Sequence, residues 1–371
     1  MPIPANAQSG LDLLFSEAET LARQQPGAVT DKPAPASSGD PHDFSTIGRY
    51  CWPNPDTPDG MPWIRIDCEV NDASYGPRYD LTRYKEMVEA VVRLSLAYRH
   101  FGGERFAEGA AARLDRWFLD PGTAMNPNLN HAAALPGVHD GVYYGVIQGA
   151  VMTRVPYAAG LLAGSAHWPA DADRRLRDWF GRYTTWLTTS PFGREQAERG
   201  KNNNTMVWYH AQRAVFGHYA GQPSAAADGL RSIAHCLDGQ IELDGSLPRE
   251  LSRPDSLIYS VYCLTGVANA AELAPLYGID LWGHRTPDGA TLRGCFDYLE
   301  PYLAGHREWT APQRHLGTPD QAIWLFRMAA RAYGQPSYRQ VAEQLAGKPS
   351  EPGSYLFGEL YDPFFRPFDQ G

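Results

Sequence analysis

The sequence lacks the signatures that mark several large classes of protein. Its five cysteines include no C-x-x-C pair, so zinc ribbons and thioredoxin-type chemistry have no basis. HExxH, GxSxG and phosphate-binding glycine loops are also missing, and we therefore expect no metal and no cofactor. Strand-like alternation of apolar and polar residues is scarce, and no apolar run is long enough to cross a bilayer. These absences point away from zinc, redox and membrane-spanning proteins.

The chain is also short of positive charge. Its 371 residues carry 33 Lys and Arg against 42 Asp and Glu, a formal net charge of -9. Nucleic acid and anionic membranes are therefore not expected partners, and a polyanionic substrate would require basic residues gathered at one place. The 10 Trp and 20 Tyr residues offer ring faces that either pack in a core or stack on sugars. The composition does not indicate an oligomeric state.

The start of the chain leaves its compartment open. Residues 1–8 contain neither the basic nor the apolar stretch of a signal peptide, although Ala5-Asn-Ala7 resembles the end of one. We expect a secreted or periplasmic protein if such a peptide has been removed, and a cytoplasmic protein otherwise. A disulfide between Cys51 and Cys68 would fit export.

Helical periodicity dominates the rest of the chain. Residues 1–45 are predicted to form a helix and a Pro/Ala/Ser-rich arm, and residues 46–371 a single catalytic domain with a loop-rich segment at 46–80. Antiparallel helix hairpins in such number bury their apolar faces by curling into an incomplete barrel. We therefore predict an all-α fold, an α/α toroid, with the aromatic segment 355–368 packed back on the body. The predicted helices span residues 11–24, 84–98, 104–118, 143–164, 172–188, 205–220, 225–239, 256–275, 290–304, 320–333 and 337–346.

The stretch from Asp244 to Tyr259 carries the most informative pair of side chains. Arg253 and Tyr259 lie six residues apart where an apolar helical run begins. A guanidinium can bind a carboxylate, and a phenol beside a cation can carry a proton. This pair is the minimal equipment for β-elimination on a uronic acid. The alternatives are an ion pair or helix cap for Arg253 and a core position for Tyr259. Arg249, in the same stretch, is a candidate for substrate binding.

A second unusual run, residues 201–212, brings several amides and an imidazole to the start of another predicted helix. Asn203 and Asn204 could neutralise a carboxylate and stabilise the enolate-like transition state, or could cap the helix. His210 is a candidate proton carrier, with a structural role as the alternative. We predict that these three residues take part in catalysis.

Five further residues are candidates for substrate binding. His131 follows Asn130 in a predicted loop at the rim of a cleft, where an imidazole and an amide can contact a sugar. Trp52, Trp208 and Tyr209 offer ring faces that could stack on sugars, with core packing as the alternative.

Several segments resemble the alginate-lyase-like polysaccharide lyases. They are Ile47–Gly60, Trp117–Asn130, the Asn-rich segment before Trp208-Tyr209, and Asp244–Leu251. The resemblance extends over residues 45–345. It implies an α/α toroid and β-elimination of uronate polymers such as alginate or glucuronan. In that family a Tyr carries the proton, an Arg lies near it, and an Asn-His pair holds the carboxylate.

The resemblance also assigns roles to single residues. Tyr259 matches the family's Tyr, Arg253 its Arg, and Asn203 with Asn204 the paired Asn before Trp-Tyr. Where the family usually continues His-Gly, this chain has Thr205-Met206, and His210 stands where the family has Asp. The resemblance therefore implies a site that keeps the Tyr and lacks the His.

This departure bears on stereochemistry. In β-mannuronate and β-glucuronate the C5 proton and the C4 oxygen lie on the same face of the ring, so one residue can take the proton and return it to the leaving oxygen. In guluronate they lie on opposite faces, which requires a separate base, usually His. We expect syn-elimination by Tyr259 on mannuronate- or glucuronate-type linkages, with His210 or His131 as candidates for a second base.

Two other classes of function remain open. An α/α scaffold can also carry a glycoside hydrolase, whose acid and base would be two of the carboxylates Asp140, Asp244, Glu250 and Asp255. The chain could also be a repurposed or non-catalytic member that binds an acidic glycan. For a lyase or a binding protein, the expected partner is an acidic polysaccharide or oligosaccharide.

Overall fold

The computed structural model describes residues 5–315 and 320–347 of the chain. Most of this part is helical. The segment 355–368, which the sequence predicts to pack back on the body, lies outside the described residues. Contacts between residues group the described chain into two compact units. We call residues 14–199 with 216–222 the first unit, and residues 5–13, 200–215, 223–315 and 320–347 the second unit.

The described residues contain thirteen α-helices, four 3-10 helices, one π-helical turn and four short strands. The strands are β1 (Ser45–Ile47), β2 (Cys51–Trp52), β3 (Ile64–Arg65) and β4 (His131–Ala134). β1 pairs with β4 in parallel, and β2 pairs with β3 antiparallel. The helices are α1 (Ala5–Arg23), α2 (Leu81–Phe101), α3 (Glu104–Leu114), α4 (Arg154–Leu161), α5 (Ala170–Thr189), α6 (Pro191–Arg199), α7 (Asn204–Tyr219), α8 (Pro223–Asp238), α9 (Pro248–Leu251), α10 (Ser256–Ala271), α11 (Leu292–Leu303), α12 (Gln321–Tyr333) and α13 (Pro336–Ala346).

Most of the predicted helices are present, with ends shifted by a few residues. The segment predicted as one helix over 143–164 is a 3-10 helix, Tyr143–Thr153, followed by α4. The helix predicted over 104–118 ends in a π-helical turn, Asp115–Leu119. Helices α6 and α9 were not predicted. Both are short and begin at a proline, which starts a helix as readily as it ends one.

In the first unit, α2 and α3 form a helical hairpin. Gly102 and Gly103 make its turn with φ of 67° and 88°, values that residues with a Cβ rarely adopt. An apolar stripe of α2 that includes Val88, Val91 and Leu96 is buried. The hairpin predicted from the periodicity and from the Gly-Gly pair is therefore confirmed.

An aromatic cluster forms the centre of the first unit. The rings of Trp179 and Tyr183 on α5 are stacked with centroids 5.6 Å apart, and Phe180 contacts Phe216 at 4.8 Å. The Trp179 indole N–H donates to the carbonyl of Met125 at 2.8 Å, so the buried indole keeps a hydrogen-bond partner. Burial of large rings at this density stabilises the unit and holds the loop that leads into β4.

A buried ion pair anchors the segment that precedes β1. The ammonium of Lys32 lies 3.2 Å from the carboxylate of Asp80, and both side chains are fully buried. Lys32 also donates to the carbonyls of Val29 and Pro41, while Asp80 accepts from the Ser45 amide and from Arg83. Every charge is paired, as a buried charge requires. The predicted division into an arm (1–45) and a catalytic domain (46–371) stays a prediction.

In the second unit, α7 packs closely against α8 and α10. A Cβ on Gly229 would lie 2.7 Å from the backbone nitrogen of Ala214, and one on Gly266 would lie 3.0 Å from the side chain of Val207. Glycine at these two positions lets the helices approach each other. Helix α10 is almost wholly buried, and its only residues with appreciable exposure are Ile258, Tyr259 and Tyr262.

Two questions that the sequence left open concern cysteines and membranes. All five cysteines are buried free thiols, so Cys51 and Cys68 are not joined in the structure. The thiol of Cys51 has a pKa raised by burial, as expected for an inert thiol inside a protein. Among residues 5–315 and 320–347, no helix combines the length and apolarity needed to cross a bilayer.

Candidate active site

Arg253 and Tyr259 lie in contact at the start of α10. The guanidinium carbon of Arg253 is 3.8 Å from the centroid of the Tyr259 ring. Arg253 is in the turn between α9 and α10, followed by Pro254, which disfavours helical backbone at the residue before it. The chain therefore folds back, and the guanidinium covers a ring one turn into α10. Both side chains are partly exposed, so the pair predicted from the sequence is brought together at the surface of the second unit.

The contact has a direct electrostatic consequence. A cation over an aromatic face is attracted by the ring, and the attraction grows when the ring carries a negative charge. Arg253 therefore places a full positive charge directly against the ring of Tyr259. A tyrosine that is held next to a cation and is partly exposed has the surroundings that a proton carrier needs.

Asn204, the first residue of α7, is held by a buried carboxylate. Its backbone N–H donates to Oε1 of Glu250 at 2.6 Å, and its side-chain Nδ2 donates to Oε2 at 2.7 Å. Glu250 also accepts from Gln240 at 3.2 Å. Burial raises the pKa of Glu250, and the hydrogen bonds from Asn204 and the charge of Arg253 act against that increase. The two-point bond fixes the start of α7 relative to α9.

Asn203 caps α7. Its Oδ1 accepts from the backbone N–H groups of Thr205 at 3.1 Å and Met206 at 3.4 Å, the usual geometry of an N-terminal cap. The capping role weighed against a catalytic one is therefore present. Capping uses only the oxygen of the Asn203 amide. Within the described residues, the Nδ2 of Asn203 donates to no protein atom. Because Asn203 is partly exposed, this donor is available to a ligand.

Asp255 and His315 form a carboxylate–imidazole pair that the sequence did not reveal. Nδ1 of His315 is 2.8 Å from Oδ2 of Asp255, and the backbone N–H groups of Arg314 and His315 donate to Oδ1 at 3.1 and 2.9 Å. Burial opposes ionisation of Asp255, but the hydrogen bonds from His315 outweigh it and lower the pKa. We call these two residues the Asp255–His315 pair. They are 60 residues apart in the chain, so no local pattern could have joined them.

A surface pocket lies where the 252–254 turn meets the segment that leads to His315. Its volume is about 380 Å³, and it is lined by Ser252, Pro254, Pro312, Gln313 and Arg314. Arg249, one turn earlier on α9, is exposed. With Arg253, three arginines therefore belong to the segments at this place, although the chain as a whole is acidic. That is the local gathering of basic residues that a polyanionic substrate requires.

Like Asn204, the other three predicted site residues on α7 are buried. Trp208 donates its indole N–H to the carbonyl of Tyr262 at 3.0 Å, and it and Tyr209 are 5% and 2% exposed. These values favour core packing over sugar stacking for both rings. His210 is 8% exposed, and burial, together with the charge of Arg213, lowers its pKa to about 3. It is therefore uncharged at neutral pH, and its surroundings favour the structural role.

The other candidates belong to the first unit. Trp52 donates its indole N–H to the backbone carbonyl of Glu69 at 2.9 Å, and the side-chain Oδ1 of Asn130 accepts from the indole N–H of Trp186 at 2.9 Å. His131 begins β4, with Nδ1 3.1 Å from the hydroxyl of Ser37 and Nε2 3.5 Å from Asp43. All three are at least partly exposed, and their roles in binding stay predictions.

The carboxylates considered for a hydrolase are placed differently from one another. Glu250 is fully buried and bonded to Asn204, and Asp255 is bonded to His315. Asp244 is exposed and accepts from the Ser246 amide at 2.9 Å, and Asp140 is exposed in the first unit. Within the second unit, neither buried carboxylate is free to act as a solvent-facing acid or base. In the part of the chain that the structure describes, no three His, Cys, Asp or Glu residues cluster as metal ligands.

Comparison with known proteins gives a consistent result. The model of the alginate lyase family matches residues 28–309, about three quarters of the chain. An alginate lyase from Bacteroides ovatus has a similar structure, with 28% identity, a TM-score of 0.87, and coverage of 96% of this chain and 93% of that one. Alginate lyase A1-III from Sphingomonas species A1 is similar at 18% identity and a TM-score of 0.58, with 97% and 95% covered.

A variant of alginate lyase A1-III complexed with tetrasaccharide matches at 18% identity and a TM-score of 0.60, with 98% of this chain and 95% of that chain covered. No curated protein matches the chain. The all-α class predicted from the sequence, an α/α toroid, is confirmed by these structures. The chain therefore belongs to the alginate lyase family and is a polysaccharide lyase.

Proposed function

We propose that this lyase cleaves mannuronate- or glucuronate-type linkages of an acidic polysaccharide by β-elimination, with Tyr259 as base and acid. The observation that carries the proposal is the 3.8 Å contact between the Arg253 guanidinium and the Tyr259 ring. Tyr259 is one of three partly exposed residues on an otherwise buried helix. An alginate lyase at 28% identity and a family member complexed with tetrasaccharide support an acidic glycan as the substrate.

The substrate carboxylate must be neutralised before its neighbouring carbon loses a proton. Asn203 offers Nδ2 at the N-terminus of α7, where the helix dipole also favours an anion. Arg253 supplies a full positive charge, and Arg249 and Arg314 extend the basic surface. Donors that are already in place when negative charge develops stabilise the enolate-like transition state. Asn204 contributes through Glu250, which holds the first turn of α7 in position.

The elimination then needs one proton carrier. The phenolate of Tyr259 removes the C5 proton, and the electrons of the C5–H bond form the C4=C5 double bond. The C4–O bond breaks, and the leaving oxygen takes the proton back from the Tyr259 hydroxyl. The residue ends as the phenolate with which it began, so no cofactor is consumed. Because the proton leaves and returns on one face of the ring, mannuronate- and glucuronate-type linkages suit this chemistry.

The test is a product assay on a panel of polymers. Purified protein is incubated with polymannuronate, glucuronan, polyguluronate and a hyaluronan-type polymer, and the absorbance of the unsaturated uronate is followed together with new reducing ends. A lyase produces both signals. New reducing ends without the absorbance would identify a hydrolase, and binding without either signal would identify a glycan-binding protein. Either of these results would overturn the proposal.

A further inference from the structure

We propose that His315, held by Asp255, is a second proton-transfer residue of this site and the base for linkages whose C5 proton lies on the face opposite the C4 oxygen. The inference rests on the proposed function and extends it to guluronate-type linkages, as a slower second activity. Such linkages need a separate base. The inference assigns that role to an imidazole that lies outside the motifs resembling the family.

The Asp255–His315 pair has the construction of an oriented base. Asp255 is 6% exposed and accepts three hydrogen bonds from the segment 314–315. Its bond to Nδ1 sets the tautomer of the ring, so the lone pair lies on Nε2. The His315 side chain is 54% exposed, and within the described residues Nε2 has no protein partner. An imidazole held at one nitrogen and open at the other can accept a proton from a ligand.

The segment that carries His315 is attached to the start of the Tyr259 helix. Arg314 N–H donates to the carbonyl of Pro254 at 2.9 Å, and Ser256 N–H donates to that of Pro312 at 3.0 Å. The side chain of Gln313 accepts from the Leu257 amide at 2.9 Å, which caps an N–H group that the helix itself leaves unpaired. These bonds give His315 a fixed position at the first turn of α10.

Tyr259 is one helical turn from Asp255, because its N–H donates to the carbonyl of that residue at 3.0 Å. The imidazole bonded to Asp255 and the phenol of Tyr259 are therefore both attached to the first turn of α10, next to the turn and segment that line the 380 Å³ pocket. The charged groups on the segments packed there include Arg249, Glu250, Arg253, Asp255 and Arg314.

The other imidazoles considered as a second base are less suited. His210 is 8% exposed, which leaves little room for a substrate to reach it. Both ring nitrogens of His131 face protein groups, Ser37 and Asp43. His315 alone among these three combines a buried carboxylate partner with an open ring nitrogen.

The proposed step balances without an added reactant. Nε2 of His315 takes the C5 proton, and the C5–H electron pair becomes the C4=C5 double bond. The C4–O bond breaks on the opposite face, and the leaving oxygen takes the hydroxyl proton of Tyr259. The proton on the imidazolium then passes through solvent to the tyrosinate, which restores both residues.

The experiment measures the ratio of cleavage rates on polyguluronate and polymannuronate for the wild type, His315→Ala, His315→Gln and Asp255→Asn. His306→Ala is the matched control, because His306 is an exposed imidazole in the same loop region. A ratio is insensitive to loss of folded protein. We expect the ratio to fall about 100-fold in both His315 variants, in line with the contribution of one acid–base residue. Asp255→Asn should lower it less, His306→Ala should leave it unchanged, and added imidazole should raise it again in His315→Ala.

Each other outcome overturns the inference in a recognisable way. A ratio that is unchanged in both His315 variants removes His315 from the chemistry. Cleavage of polymannuronate with none of polyguluronate by the wild type removes the second activity and leaves the proposed function standing. A wild type that cleaves no polymer removes the proposed function, and the inference with it.

Discussion

The guanidinium of Arg253 lies over the ring of Tyr259, with its central carbon 3.8 Å from the ring centroid. The contact joins a residue of an irregular turn to a residue on a rigid buried helix. The proposed proton carrier is therefore held by α10, while the cation beside it depends on the turn at residues 252–255. Substitutions at the two positions should have different effects on the reaction.

Tyr259→Phe should leave the protein folded and remove nearly all turnover. The change deletes only the hydroxyl, and α10 remains buried around it. Unsaturated product is measured at saturating polymannuronate or glucuronan, with circular dichroism as the check on folding. Tyr277→Phe, a tyrosine beyond the other end of α10, is the control. A Tyr259→Phe enzyme that kept more than about a tenth of the wild-type kcat, a barrier change below about 1.4 kcal/mol, would rule out Tyr259 as the base.

Arg253→Ala and Asn203→Ala should each slow the reaction by about 10²–10³-fold, because each removes a donor that we propose binds the substrate carboxylate. Arg253→Lys should recover part of the loss, since it keeps the charge and loses the planar fork. Asn203→Asp separates the two roles of this residue, because it keeps the cap on α7 and replaces the Nδ2 donor with an oxygen. If Asn203→Asp is as active as the wild type, the residue serves α7 alone.

Polymannuronate and glucuronan should be cleaved faster than polyguluronate. In the proposed mechanism Tyr259 completes syn-elimination by itself, whereas anti-elimination needs one deprotonated base and one protonated acid at the same time. Initial rates on the three polymers at equal uronate concentration give the order. Polyguluronate as the fastest substrate would contradict a mechanism centred on one tyrosine.

Lys32→Met should destabilise the protein by on the order of 3 kcal/mol, because it leaves the buried carboxylate of Asp80 without one of its two cations. Lys201→Met, at an exposed position, should change the free energy of unfolding by less than about 0.5 kcal/mol. Urea unfolding of the three proteins measures the difference. Equal midpoints for Lys32→Met and the wild type would show that Arg83 alone is enough to compensate Asp80.

The Asp255–His315 pair should make stability depend on pH on the acidic side. The pKa of Asp255 is lowered in the folded protein, so the native state binds that proton less tightly than the unfolded chain does. The stabilisation is present above the ordinary aspartate pKa of about 3.9, and it is lost as the pH falls through the lowered native value. The difference in unfolding free energy between wild type and Asp255→Asn should therefore be larger at pH 7 than at pH 3. A difference independent of pH would contradict this assignment.

Local patterns were sufficient for the helices and for one pair of site residues. The apolar spacing predicted α2, α5 and α10 closely because amphipathic periodicity reports which side of a helix is buried. Arg253 and Tyr259 could be paired because they lie only six residues apart. Arg253 precedes the predicted helix, and Tyr259 lies in its first turn. Both inferences use interactions within a few residues of chain.

The rest of the site depends on contacts between distant segments. Glu250 was considered as a hydrolase acid, and its bond to Asn204, 46 residues away, could not be read from either motif. His315 has no neighbouring residue that marks it, because its role depends on how the 312–315 segment attaches to α10. The burial of Trp208 could not be predicted from the sequence either, since an indole near the start of a helix can face a core or a ligand.

The two hydrogen bonds between Asn204 and Glu250 also bear on how this site could change during evolution. Glu250 needs a donor from the residue at position 204, and both an amide and an imidazole can supply one. Exchange of asparagine for histidine requires one base change in the codon and keeps the buried carboxylate paired. A lineage could therefore gain or lose an imidazole at the mouth of α7 without rebuilding the helices around it.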